Sequence, residues 1–123
     1  MPIEVAFDDA RRLVTMRISG SVSMQEVIAT RTAQAAAGRW SYAYTVDSRA
    51  STRPPTTEEL HVLRAAVAQL SLQHGQVGPV ALIAPSDAGY GMGRMYEVFA
   101  SPTRFAVFRE LAHAERWLAE IGR

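Results

Sequence analysis

The chain contains no cysteine. Disulfides, thiolate catalysis and cysteine-ligated metal are therefore excluded, and a reducing compartment is compatible. An excess of charge is also missing: 13 basic residues against 12 acidic ones leave a formal net charge of +1. Binders of nucleic acid or of membrane surfaces usually carry a basic stripe. The balance is too even for a dedicated binder of either kind, and the scattered arginines leave a local basic patch open. No apolar run approaches the ~20 residues that span a bilayer. The opening Met1-Pro2-Ile3-Glu4 lacks the basic-then-apolar pattern of a secretory signal. The expectation is a soluble, cytoplasmic protein with no membrane span.

Histidine is scarce, and His61, His74 and His113 show no metal-ligand spacing. No Gly-x-Ser-x-Gly elbow supports a serine nucleophile. Asp8-Asp9 reads as a turn and Glu58-Glu59 as a helix start, so neither forms an acid–base pair. Gly89, Gly91 and Gly93 alternate, but the spacing is not Gly-x-Gly-x-x-Gly and no Gly-Lys-Ser/Thr follows. No metal, cofactor or catalytic residue is implied.

What is present is a regular α/β pattern. At 123 residues, 48% of them hydrophobic, the chain can bury a core as one domain, residues 1–123. Ile3, Val5 and Phe7 alternate with other residues, and so do Val14, Met16 and Ile18. Two such runs joined by a short polar turn predict a β-hairpin ending at Gly20. Ser23 to Glu26 is a capping box, opening a helix to about Ala37 whose inward residues are Met24, Val27 and Ile28. Its alanine-rich second half suits close packing on the sheet.

Tyr42 to Val46 reads as a third strand ending at Asp47-Ser48-Arg49, followed by a loop over 50–55. A second capping box, Thr56 to Glu59, opens a helix with Leu60, Leu63, Val67 and Leu70 at helical spacing. Val80 to Ala84 has no polar alternation, as expected of a strand covered on both faces. Pro85-Ser86-Asp87 starts a third helix, stopped by Ser101-Pro102. Met92, Met95, Tyr96 and Phe99 are expected on its inward face. Phe105 to Phe108 is the last strand, and a closing helix buries Leu111, Ala114, Trp117, Leu118 and Ile121.

The predicted fold class is thus α/β: a mixed five-stranded sheet made of an N-terminal β-hairpin, three α-β units and a closing helix. Right-handed crossovers make strands two to five parallel, with strand one antiparallel at one end. This arrangement resembles the STAS fold of anti-sigma-factor antagonists, and more narrowly the SpoIIAA-like group of small bacterial proteins. The local carriers are Ile18-Ser19-Gly20, Val46-Asp47-Ser48, the segment Tyr90 to Tyr96, and the close from Phe108 to Leu118. The resemblance implies a non-enzymatic regulator that binds a protein. Antagonists of that family are phosphorylated on a Ser in an Asp-Ser-Ser-Gly-type segment at the start of the second helix. The matching region here is Arg53-Pro54-Pro55-Thr56-Thr57, without an Asp-Ser pair; Asp47-Ser48 lies earlier.

In open parallel sheets, ligands sit outside the carboxyl ends of the strands. Gly20-Ser21, Asp47-Ser48-Arg49, Ser86-Asp87 and Arg109 converge there, the default site. Arg94 is a candidate clamp for a carboxylate or phosphate, beside Tyr90 and Tyr96; its alternative is an ordinary pair with Glu97. The ligand- or partner-binding candidates are Asp47, Ser48, Arg49, Tyr90, Arg94 and Tyr96, with Ser48 also a candidate phosphorylation site near Arg49 and Arg53. The function expected is a non-enzymatic binding or regulatory module. It would present the strand ends and the 86–100 helix to a protein partner or a small amphiphilic ligand. The alternatives are a small-molecule enzyme using Asp47, Ser48, Arg49 and Arg94, or a structural role; a symmetric homodimer is left open.

Overall fold

The computed structural model describes residues 2–121. β1 (Ile3–Asp8) and β2 (Leu13–Gly20) form the hairpin, with Val5 opposite Met16 and Phe7 opposite Val14. Its turn is closed by the Asp8 carboxylate, which accepts the Arg11 N–H at 3.1 Å. α1 (Met24–Ala36), β3 (Ala43–Ser51), α2 (Thr57–His74), β4 (Val80–Ile83), α3 (Asp87–Phe99), β5 (Phe105–Phe108) and α4 (Leu111–Ile121) follow. The strands lie in the order β1-β2-β3-β4-β5, antiparallel at the first pairing and parallel thereafter. This is the expected mixed sheet. No helix among the described residues is long and apolar enough to cross a membrane.

Both capping boxes form. Ser23 accepts the Glu26 N–H while Glu26 returns to the Ser23 N–H, and Thr56 and Glu59 do the same. The third helix is capped by the Ser86 hydroxyl, which accepts the Gly89 N–H at 3.0 Å. β4 is apolar throughout because its two faces meet different layers. Ala81 and Ile83 are fully buried against Ala114 of α4, with Phe108, Trp117 and Leu118 around them. Val80 faces the other way, into a cluster with Val14, Tyr42 and Tyr44. α1, α2 and α3 cover that second face.

Three expectations need correction. β3 does not end at Asp47: it runs to Ser51, and Gly20 of β2 pairs with Ser51 after a register shift between Arg17 and Ser19. The loop expected over 50–55 therefore begins two residues later. Met95 points outward, at 38% exposure, and the buried face of α3 is Gly93 and Tyr96, with Ala100 at its C-cap. Gly93 is required by packing: a Cβ there would lie 2.6 Å from Val107 Cγ2. At this position the alternating glycines thus serve α3–β5 contact.

α1 also sits differently from expectation. Its small residues seat it against α2 and not against the sheet: Ala35 packs with Trp40, Leu70 and Val77. Closest backbone approach links α1 with α2 and α3 with β5, whereas neither α1 nor α2 comes extensively close to a strand. Two helices held off a sheet leave space beneath them.

Candidate functional site

That space is a cavity of about 440 Å³ between the sheet and α1, α2 and α3. Its floor is the helix-facing side of the strands: Met16 and Ile18 of β2, Val46 of β3, Val80 and Leu82 of β4, and Phe105 of β5. Alternation along each strand puts these side chains on one face. Its walls are Met24 and Val27 of α1, Leu60, Leu63 and Val67 of α2, and Met92 and Tyr96 of α3. Its mouth lies at the carboxyl ends of the strands, among Arg49, Ser51 to Pro55, Pro85 and Ser86. A largely apolar pocket of this size with a few polar groups is the usual form of a small-molecule site.

One charged side chain reaches the interior. Arg31, on α1, is 5% exposed and lines the cavity. Met24, Val27 and Arg31 follow one another at i, i+3 and i+7, so Arg31 occupies the apolar stripe of its helix. Its guanidinium carbon lies 3.9 Å from the Tyr44 ring centre and 4.9 Å from that of Trp40. Its Nε has no hydrogen-bond partner. Burial pushes its pKa down, opposed by the electron-rich oxygens of Tyr44 and Tyr96.

The mouth is charged but internally neutralised. Arg53 forms a fork with Glu59, both contacts at 3.0 Å, and reaches toward the Val22 carbonyl oxygen at 3.5 Å. It thereby ties the β2–α1 and β3–α2 loops together. The Arg53 fork and the Thr56 N–H lower the Glu59 pKa to about 2. Arg49 grips Asp47 through Nε at 2.9 Å and Nη2 at 2.7 Å. The Arg49 hydrogen bonds hold the Asp47 carboxyl below its ordinary value, against burial, which acts in the other direction.

Comparison with solved structures decides the architecture. The uncharacterized protein of the DUF3478 family with a SpoIIAA-like fold from Shewanella loihica PV-4 superposes at a TM-score of 0.60 with 20% identity, over 94% of this chain and 91% of that one. The fold is SpoIIAA-like. An anti-sigma factor antagonist from Mycobacterium paratuberculosis matches at a TM-score of 0.57 and 19% identity, covering 95% and 92% of the two chains. The anti-sigma factor antagonist SpoIIAA in its unphosphorylated form matches at 0.55 and 11% identity, covering 98% and 97%. No protein-family model matches the chain, and no curated protein matches it in sequence.

The SpoIIAA-like sheet sorts the six candidate residues into three places. Ser48, Arg49 and Tyr96 line the cavity. Asp47 projects from the opposite face of β3, beside Arg17 of β2 at 3.8 Å. Arg94 and Tyr90 stand outside the cavity. Arg94 is exposed and pairs with Glu97 at 3.4 Å, while Tyr90 lies under the Arg109 guanidinium at 4.4 Å. The structure therefore does not gather Asp47, Ser48, Arg49 and Arg94 around one point. The strand-end rim itself is present: Asp47 pairs with Ile83 and Ile83 with Phe108, while Arg109 bridges Asp87 at 2.9 Å.

Ser48 lies inside β3 and not at its end. Its hydroxyl donates to the Ile83 carbonyl at 2.6 Å, so a phosphate there would first have to displace that bond. Arg31 escaped sequence reasoning. The signal was available as a charged residue in register with Met24 and Val27, on a face that should be apolar.

Proposed function

We propose that the chain is a non-enzymatic regulatory binding module whose working site is the cavity between the sheet and α1–α3, entered at the strand-end rim. The observation that carries this reading is continuity. Apolar walls run from the mouth at Pro54 and Pro85 down to Val80 and Phe105, with polar groups only at the mouth and at single interior points. Such a space suits an apolar-bodied ligand better than a polar metabolite. Ser48 and Arg49 line the same cavity.

A protein partner for the outer surface has separate support. Two of the structural neighbours are named as anti-sigma factor antagonists. Here the outward side of α3 carries Met95 at 38% and Val98 at 81% exposure, with Val62 of α2 at 51%. Ligand occupancy beneath α3 and partner binding on top of it would then meet in one helix.

A thermal-shift screen across lipids and hydrophobic metabolites tests the cavity reading. A true ligand at a hundredfold excess over its Kd stabilises by about 2.7 kcal/mol. For a chain of this size that is a rise of roughly 10 °C in Tm. A flat response across the screen would count against the cavity as the site.

A further inference from the structure

We infer that the cavity is a binding site for a small amphiphilic carboxylate, held with its carboxylate inward on Arg31 and its apolar body toward the mouth. This rests on the cavity reading above and adds the head group, the orientation and the residue that selects them.

A buried, unpaired guanidinium is costly, because an ion taken out of water loses hydration that nothing replaces. Native proteins pair such groups or use them. Among the described residues Arg31 has no carboxylate within ion-pair distance and makes no side-chain hydrogen bond. Its guanidinium carbon lies over the Tyr44 and Trp40 rings. Stacking of this kind favours the cation but leaves the N–H edge unsatisfied. A planar carboxylate fits that edge in a bidentate pair and carries the one negative charge needed for neutrality. A doubly charged phosphate would leave a net buried charge.

Orientation follows from the other arginines. Arg49 and Arg53 at the mouth already hold Asp47 and Glu59. Arg31 is the cavity cation without such a partner among the described residues, and it lies at the inner end, beside Tyr44. Tyr96 adds a second donor: it is 5% exposed, lines the cavity, and its hydroxyl makes no hydrogen bond among the described residues. From Val80 to Ala84 the floor extends four residues, about 13 Å at strand rise. That length favours a medium-length linear or narrow apolar body.

Calorimetric titration with dodecanoate, dodecanol and dodecylamine, each below its aggregation threshold, tests the inference. The protein should bind dodecanoate in preference to the alcohol and exclude the amine. Arg31→Met should weaken dodecanoate about tenfold to a hundredfold, the range for a charge-assisted hydrogen bond, while leaving dodecanol unchanged. Arg31→Lys should fall between, since it keeps the charge but loses the fork. Arg94→Ala, a surface control, should change nothing. Equal binding of alcohol and acid, insensitive to Arg31→Met, would overturn the Arg31 anchor and leave the cavity reading standing. Failure of all three ligands to bind the unaltered protein would overturn both.

Discussion

The guanidinium carbon of Arg31 lies over the ring of Tyr44, 3.9 Å from its centre, and this contact sits between α1 and β3. The contact spans the gap between α1 and the sheet at the inner end of the cavity, where the alanine-rich half of α1 packs on α2 instead of on a strand.

Arg31 should therefore be a stability cost carried for function. Two desolvated cation–π contacts return about 2 kcal/mol each, which offsets only part of the burial penalty, and replacing buried ionic groups by apolar residues of similar volume often stabilises by about 1–4 kcal/mol. Arg31→Met is expected to gain about 1 kcal/mol, seen as a rise of roughly 4 °C in Tm by calorimetry without ligand. A fall in Tm would mean that the stacking outweighs the burial.

Packing of α3 onto β5 depends on the missing side chain at Gly93. A Cβ would meet Val107 Cγ2 at 2.6 Å and Val107 Cβ at 2.8 Å. Gly93→Ala should destabilise by about 1–3 kcal/mol through overpacking. Val107→Ala in the same chain removes both the clash and some apolar contact, and should restore part of the loss. Urea denaturation of the single and double variants would measure this coupling.

The mouth should respond to acid. Glu59 has its pKa lowered from an ordinary 4.5 to about 2 by Arg53 and the Thr56 N–H. Its ionised form is thus favoured by folding. The contribution is complete above the unfolded value and is lost as pH falls toward 2. The pair lies at the surface and is screened, so it counts for less than the whole shift implies. Glu59→Gln is expected to lower Tm by about 3 °C at pH 7 and to flatten the loss of stability between pH 5 and pH 2. Parallel pH profiles for the two proteins would contradict the clasp.

Filling the cavity should separate stability from binding. Val27 is half-buried on the cavity wall. Val27→Phe places a ring in that space and should hold or raise stability by up to about 1 kcal/mol, while abolishing the thermal response to dodecanoate. A variant that keeps full ligand response would place the ligand elsewhere.

Much of this architecture was legible in the sequence. Alternation at Ile3–Phe7 and Val14–Ile18, the boxes at Ser23–Glu26 and Thr56–Glu59, and the unbroken apolar run at Val80–Ala84 all report local physics, and all correspond to observed elements. What escaped depends on contacts between layers. β3 runs past Asp47 because Ser51 has a partner in Gly20 of β2, which no local pattern records. Met95 follows helical spacing yet faces outward, because Gly93 and Tyr96 set the rotation of α3 against Val107 and Phe105. Of the candidate site, Ser48 and Arg49 were legible as residues near the strand tips, although both sit within β3 and not at its end. The interior end was not, since Arg31 matters through the aromatic residues it stacks on and the acids it lacks.

A crystal structure of the protein with dodecanoate would locate the carboxylate itself. The expected result is a carboxylate paired with the Arg31 guanidinium and an alkyl chain running along Val46 and Leu82 toward Pro54. A chain seated with its carboxylate at Arg49 or Arg53, or density confined to the outer surface of the helices, would contradict it.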